Sequence, residues 1–251
     1  MAQQKGIFKV KGALGDVSFY KSQDGYLIRE KTSLDGNRIA HDPAFARTRE
    51  NNAEFTRAAQ AGKLLRQALR PLIKDASDGR IVSRLTRYMA QSIRMDSSHA
   101  RGERTVTEHI SLLQGFEFNI NGRLSSTLYV PFTNSIDRAA GTLGVNLEAY
   151  RATAMIAAPD GTTHYQLHMG GALLDFDQQT FEVQFANGEL LVFDSTDQAA
   201  GSLSVTLSGG STAPLFLCLG ISFSQEVNGQ QYALKNGVYN ALAVVQVDAG
   251  T

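Results

Sequence analysis

Phe8 and Val10 alternate with Lys9 and Lys11. That period of two predicts a strand over residues 6–11 with one apolar and one basic face. Two more short strands are predicted over 16–21 and 26–31. Gly12 and Gly15 bracket one turn, and Gln23-Asp24-Gly25 supplies the other. A three-stranded meander of this size cannot bury both faces alone. It needs cover from the helices that follow or from another subunit.

The period then lengthens. Asp42-Pro43 combines an N-cap residue with a proline at the first helical position. From there Phe45, Asn52, Phe55, Ala59, Gly62, Leu65, Leu69 and Leu72 recur near a helical spacing. Gly62 on that face leaves room for a second helix, and Pro71 ends or kinks the first one. A second helix is predicted over 78–95 on the stripe Ile81, Val82, Leu85, Tyr88, Met89, Ser92 and Ile93. A shorter third helix carries Val106, Ile110 and Leu113 and stops at Gly115.

After Gly115 the alternation returns in Phe116-Glu117-Phe118-Asn119-Ile120, and residues 124–132 read as extended. Pro159-Asp160-Gly161, Asn187-Gly188, Asn228-Gly229 and Asn236-Gly237 each mark a hairpin between β-rich runs, giving about nine strands. The fold expected is α+β: an N-terminal β-meander with a helical segment, then an antiparallel β-sandwich, immunoglobulin-like or jelly-roll-like. The domain boundary is placed between 1–114 and 115–251.

Charge sharpens that division. The chain is neutral overall, yet residues 1–114 hold 20 Lys+Arg against 12 Asp+Glu, and residues 115–251 hold 4 against 12. Equal and opposite halves suggest that each half docks on the other, within a chain or between chains. Thirteen of the twenty basic residues in the first segment are Arg, which favours bidentate docking to carboxylate or phosphate over simple solubility. Lys9, Lys11, Arg66, Arg70, Arg84 and Arg87 are the candidate basic contacts. Asp175, Asp177, Glu182 and Glu189 are the acidic docking candidates.

No catalytic constellation stands out, and the chain is expected not to be an enzyme. There is no Gly-x-Ser-x-Gly elbow, and nothing in the sequence places a serine beside a histidine and a carboxylate. His164 and His168 share a strand face with Asp175 and Asp177 nearby, but strand residues four apart are separated by about 13 Å, too far to share one metal ion. Asp175-Phe176-Asp177 followed by Glu182 lacks the sixth-position glycine of a helix-flanked calcium loop. Neither glycine cluster sits where a phosphate cradle would, so no cofactor is expected. A sugar platform has no Trp to build on. Cys218, the single cysteine, lies in an apolar run and reads as a core residue.

The first residues carry no apolar signal-peptide core, and no apolar run approaches the ~20 residues of a membrane helix. A cytoplasmic protein without membrane contact is expected, or one that belongs to a released particle.

Lys9-x-Lys11-Gly12-x-x-Gly15-x-x-Ser18-Phe19-Tyr20-Lys21, Gly25-Tyr26-x-x-Arg29-Glu30-Lys31, Asp42-Pro43-x-Phe45-x-x-Thr48-Arg49-Glu50-Asn51 and Gly115-Phe116-Glu117-Phe118-Asn119 resemble a family of small uncharacterised bacterial proteins. The resemblance implies a similar two-part layout and supplies no activity. The leading expectation is a self-assembling structural protein whose basic N-terminal module docks head-to-tail on the acidic sandwich of the next copy, giving an oligomer, filament, tube or shell. The alternatives are a nucleic-acid-associated protein that sits on phosphates through its Arg-rich half, and a sandwich that binds a ligand or surface.

Overall fold

In the computed structural model, which describes residues 2–31 and 36–250, contacts divide the chain into two units, Met1–Arg49 and Glu50–Thr251. The change of charge near Gly115 therefore falls inside the second unit.

The first unit is a small antiparallel sheet of β1 (Ala2–Gln3), β2 (Gly12–Leu14), β3 (Val17–Ser22) and β4 (Gly25–Glu30), in the order β1-β4-β3-β2. Strands β3 and β4 lie within a residue of their predicted positions. The strand predicted over 6–11 does not form. The Gln4 amide takes the Val10 N–H at 2.9 Å and donates to the Val10 carbonyl at 3.1 Å. A side chain thus satisfies the backbone groups that a neighbouring strand would have paired. Helix α1 (Gly36–His41) follows, and Asp42 then caps the chain's turn into the long helix, accepting the Ala44 N–H at 2.9 Å.

Helix α2 (Ala46–Ala68) buries Ala58, Ala61, Gly62, Leu64, Leu65 and Ala68. It breaks before Pro71 into the single turn α3 (Arg70–Ile73). Helix α4 (Ile81–Met95) buries Ile81, Leu85, Met89, Ser92 and Ile93. The close approach expected at Gly62 is made: a Cβ there would lie 3.5 Å from Leu85 Cγ of α4. Phe55 and Val82, expected on the inner stripes, are exposed. The inner face of α2 is built largely from alanines and leucines, which lets the helix lie close. The predicted third helix is only a 3-10 turn, Ile110–Leu113.

The short helical turn α5 (Leu124–Thr127) replaces the first part of the extended run expected over 124–132. Next come β5 (Phe132–Asp137), β6 (Thr142–Leu147), β7 (Tyr150–Arg151), the turn α6 (Ala152–Met155), β8 (His164–Asp175), β9 (Thr180–Val192), β10 (Asp197–Gln198), β11 (Gly201–Thr206), β12 (Leu215–Val227), β13 (Gln230–Ala233) and β14 (Ala241–Asp248). All pairings among them are antiparallel. The larger sheet runs β13-β12-β8-β9, with β14 also on β12, and the smaller runs β11-β6-β5. Asn228-Gly229 turns β12 into β13 as expected. Asn187-Gly188 does not make a hairpin. It lies inside β9, beside a register shift against β8.

Period two on the central strands explains the layering. Phe216 and Cys218 face one way and join Ala172, Leu174, Leu242 and Val244 under the helices. Leu215, Leu217, Leu219 and Ile221 face the other way and meet Leu143, Val145 and Val205 of the smaller sheet. The second unit is thus helices, larger sheet and smaller sheet in three layers. Gly170 and Gly171 sit between the helical layer and the smaller sheet. A Cβ on Gly170 would be 2.8 Å from Leu72 Cδ1, and one on Gly171 would be 2.6 Å from Val205 Cγ2. Phe116 and Phe118 are buried in the helical-side core, and their segment follows β14 through Gly115 N–H to Val244 O at 2.8 Å and Phe118 N–H to Leu242 O at 2.8 Å. Burial pushes the Cys218 thiol up, away from the reactive thiolate.

Candidate functional site

The six basic candidates have different environments. Lys9 bonds the Gln4 carbonyl and lies 5.9 Å from the Tyr26 ring centre, while Lys11 is exposed. Arg66 is half-buried on α2, and Arg70 and Arg87 are exposed. Arg84 points inward. Its guanidinium pairs with Asp78, donates to Glu117 O at 2.6 Å and Phe118 O at 2.9 Å, and covers the Phe116 ring. It fastens α4 to the strand-like segment 116–118. We expect Arg84→Ala to lower stability by about 2 kcal/mol and Arg87→Ala to change it by less than about 0.5 kcal/mol. Urea unfolding of the two variants checks this.

All four acidic candidates fall on the β8–β9 hairpin. Asp175 is used in the turn, accepting the N–H groups of Asp177 at 2.9 Å and Gln178 at 2.8 Å. Glu182 accepts the Ser208 N–H at 3.0 Å. Asp177 and Glu189 are exposed. Strand β9 pairs with β8 alone among the described strands, and its Phe181, Leu190 and Val192 are exposed.

Charge is also layered within the second unit. Residues 50–114, which supply its helices, hold 11 Lys+Arg against 7 Asp+Glu, and the β-rich remainder holds 4 against 12. The buried Asp96 beyond α4 is fully engaged. Its carboxylate accepts N–H groups from Ser98 at 2.9 Å, His99 at 3.1 Å and Thr105 at 2.7 Å, and meets the His99 ring at 2.9 Å. Burial alone would raise this carboxyl, but the donors outweigh it and hold it well below the usual range.

A separate cleft opens where β12 exchanges neighbours. On one side β12 pairs with β14 up to Ile221 and with β13 from Ser224 onward. Between these two pairings the Phe223 N–H is taken by Asn240 Oδ1 at 3.1 Å. The resulting cavity of about 600 Å³ lies between the larger sheet and the chain around Pro71–Ala76. His168 and Ser222 line it, with His168 Nε2 2.7 Å from Ser222 Oγ, and His168 Nδ1 reaches Asn187 Oδ1 on the neighbouring strand at 2.8 Å. The three residues come from adjacent strands β12, β8 and β9. Asn236 and Gly237 line another wall. Lys235, Asn236 and Gly237 hold consecutive positive φ values of 47°, 53° and 75°, a costly backbone state for the two that are not glycine.

The sequence could not reveal this grouping. Ser222 and His168 are 54 residues apart, and Asn187 looks like a turn residue until the register is known. His164 bonds Thr163 and Gln231 instead, so the two histidines serve different neighbours. Among the described residues no group of three or more His, Cys, Asp or Glu could hold a metal ion, and no helix is long and apolar enough to cross a membrane. No protein-family model and no curated protein matches the chain.

Proposed function

We propose that this chain is a structural protein that assembles with copies of itself, the basic N-terminal part of one copy docking on the acidic β-rich part of the next. The observation that carries this reading is the N-terminal unit. None of its described residues is buried, while Ile7 and Phe8 between β1 and β2 and Leu14 of β2 are 95%, 88% and 75% exposed. A small sheet with so much apolar surface in water gains by being covered.

Charge argues for a second copy as the cover. Residues 1–49 hold 9 Lys+Arg against 5 Asp+Glu, and the β-rich part holds the opposite excess. Strand β9 offers exposed Phe181, Leu190 and Val192 beside the Glu189 carboxylate. A contact between two unlike surfaces is heterologous and closes into a ring or runs on as a filament or tube. In this reading the β-rich part is an immunoglobulin-like or jelly-roll-like sandwich, and the bacterial proteins that the sequence resembles are similar building blocks.

The Ile7→Asp/Phe8→Asp double variant tests the reading. We expect it to elute with a smaller mass than the parent in size exclusion with light scattering, with its melting temperature unchanged. Equal masses for the two proteins under conditions where the parent is oligomeric would remove the N-terminal sheet from the interface.

A further inference from the structure

We propose that Ser222, His168 and Asn187 form a nucleophile, base and positioning group that accept the acyl group of a small uncharged carboxylic ester. The proposal rests on the geometry of the cleft and is read out by covalent capture rather than by mass, although Leu190 of the proposed docking strand also lines the cleft.

The hydrogen-bond directions follow from Asn187 Oδ1, an oxygen that can only accept. With Asn187 Oδ1 as acceptor at 2.8 Å, the His168 ring carries its proton on Nδ1. Nε2 then has a free lone pair, and the only proton available to it at 2.7 Å is the Ser222 hydroxyl. A serine hydroxyl donating to an imidazole held from its far side is the arrangement that activates an alcohol for attack. All three groups stand on hydrogen-bonded neighbouring strands, so their spacing is held by the sheet.

The chemistry balances with ester and water alone. Ser222 Oγ adds to the ester carbonyl as its proton passes to His168 Nε2. Collapse of the adduct breaks the bond to the alkoxide, which takes that proton back and leaves as alcohol. Water then repeats the sequence on acyl-Ser222, releasing the acid and restoring the hydroxyl. The Ser222 side chain lies on a regular strand, so its own N–H is committed to the sheet.

The lining also narrows the substrate. A cavity of about 600 Å³ suits a small molecule. Asp75 is the only Asp, Glu, Lys or Arg among the described lining residues, which disfavours an anionic substrate. Asn187 orients the ring but brings no negative charge to stabilise an imidazolium. Turnover is therefore expected to be slow and limited to good leaving groups, so covalent capture is the appropriate readout.

The test treats the full chain with a small fluorophosphonate and, separately, with p-nitrophenyl acetate. We expect a single adduct that peptide mapping places on Ser222, together with a burst of p-nitrophenolate of about one equivalent. Ser222→Ala abolishes both. His168→Gln slows labelling by about 100-fold. Asn187→Ala slows it about tenfold and shifts the midpoint of its pH profile, which a purely structural role would not do. An adduct on any other residue of the parent protein, or no adduct at all, overturns the proposal without recourse to a variant. Labelling of folded His168→Gln at the parent's rate overturns it equally.

Discussion

Asp96→Ala will destabilise the second unit by about 3 kcal/mol, because it removes one acceptor from three backbone N–H groups and the Thr105 hydroxyl at once. The carboxylate closes the chain from Asp96 to Thr105 just after α4, and Ser92 Oγ on that helix ties the next turn by donating to Val106 O at 2.7 Å. Asp96→Asn keeps the shape but aims an amide N–H at a donor, so it should recover only part of the loss. The same residue sets an acid limit. Its carboxyl is held below its unfolded value, so its contribution is fully present above about pH 4 and is lost as pH falls below that. Urea midpoints from neutral pH down to about pH 2 should fall in the parent protein, with a weaker dependence in Asp96→Ala.

Gly171→Val should cost about as much, roughly 3 kcal/mol, by a different route. The added Cβ would meet Val205 Cγ2 at 2.6 Å and Leu143 Cδ2 at 3.4 Å. Strand β8 cannot back away, since Leu72 and Phe185 already crowd Gly170 on the opposite face. Val205 is β-branched and buried, so it has few rotamers with which to yield. Pairing Gly171→Val with Val205→Ala should restore more than about 1 kcal/mol relative to the sum of the single changes. Additive losses would mean that the smaller sheet relaxes and the three layers are not tightly stacked.

Local patterns were legible: the Asp42 cap, the break before Pro71, the Asn228-Gly229 turn and the stripe of α4, apart from exposed Val82 and Tyr88, follow from nearest neighbours and a fixed period. The meander was half legible, because no periodicity foretells that the Gln4 side chain replaces a strand. The change of period at Gly115 is real, but a change of period need not separate compact units. Helices and sheet share one core through Phe116, Phe118, Phe216 and Leu242. The candidate charges were visible as composition only. Burial decided that Arg84 serves the fold while Arg87 stays on the surface. The cleft was hidden altogether, since its three polar groups meet only through strand register.

The central claim, that this chain is a building block for its own assembly, is tested most directly by its mass in solution. Light scattering on the full chain at low ionic strength, over rising concentration, should give a multiple of 27.2 kDa that grows with concentration and shrinks as salt is added. A constant mass of 27.2 kDa at every concentration and salt level would contradict the account.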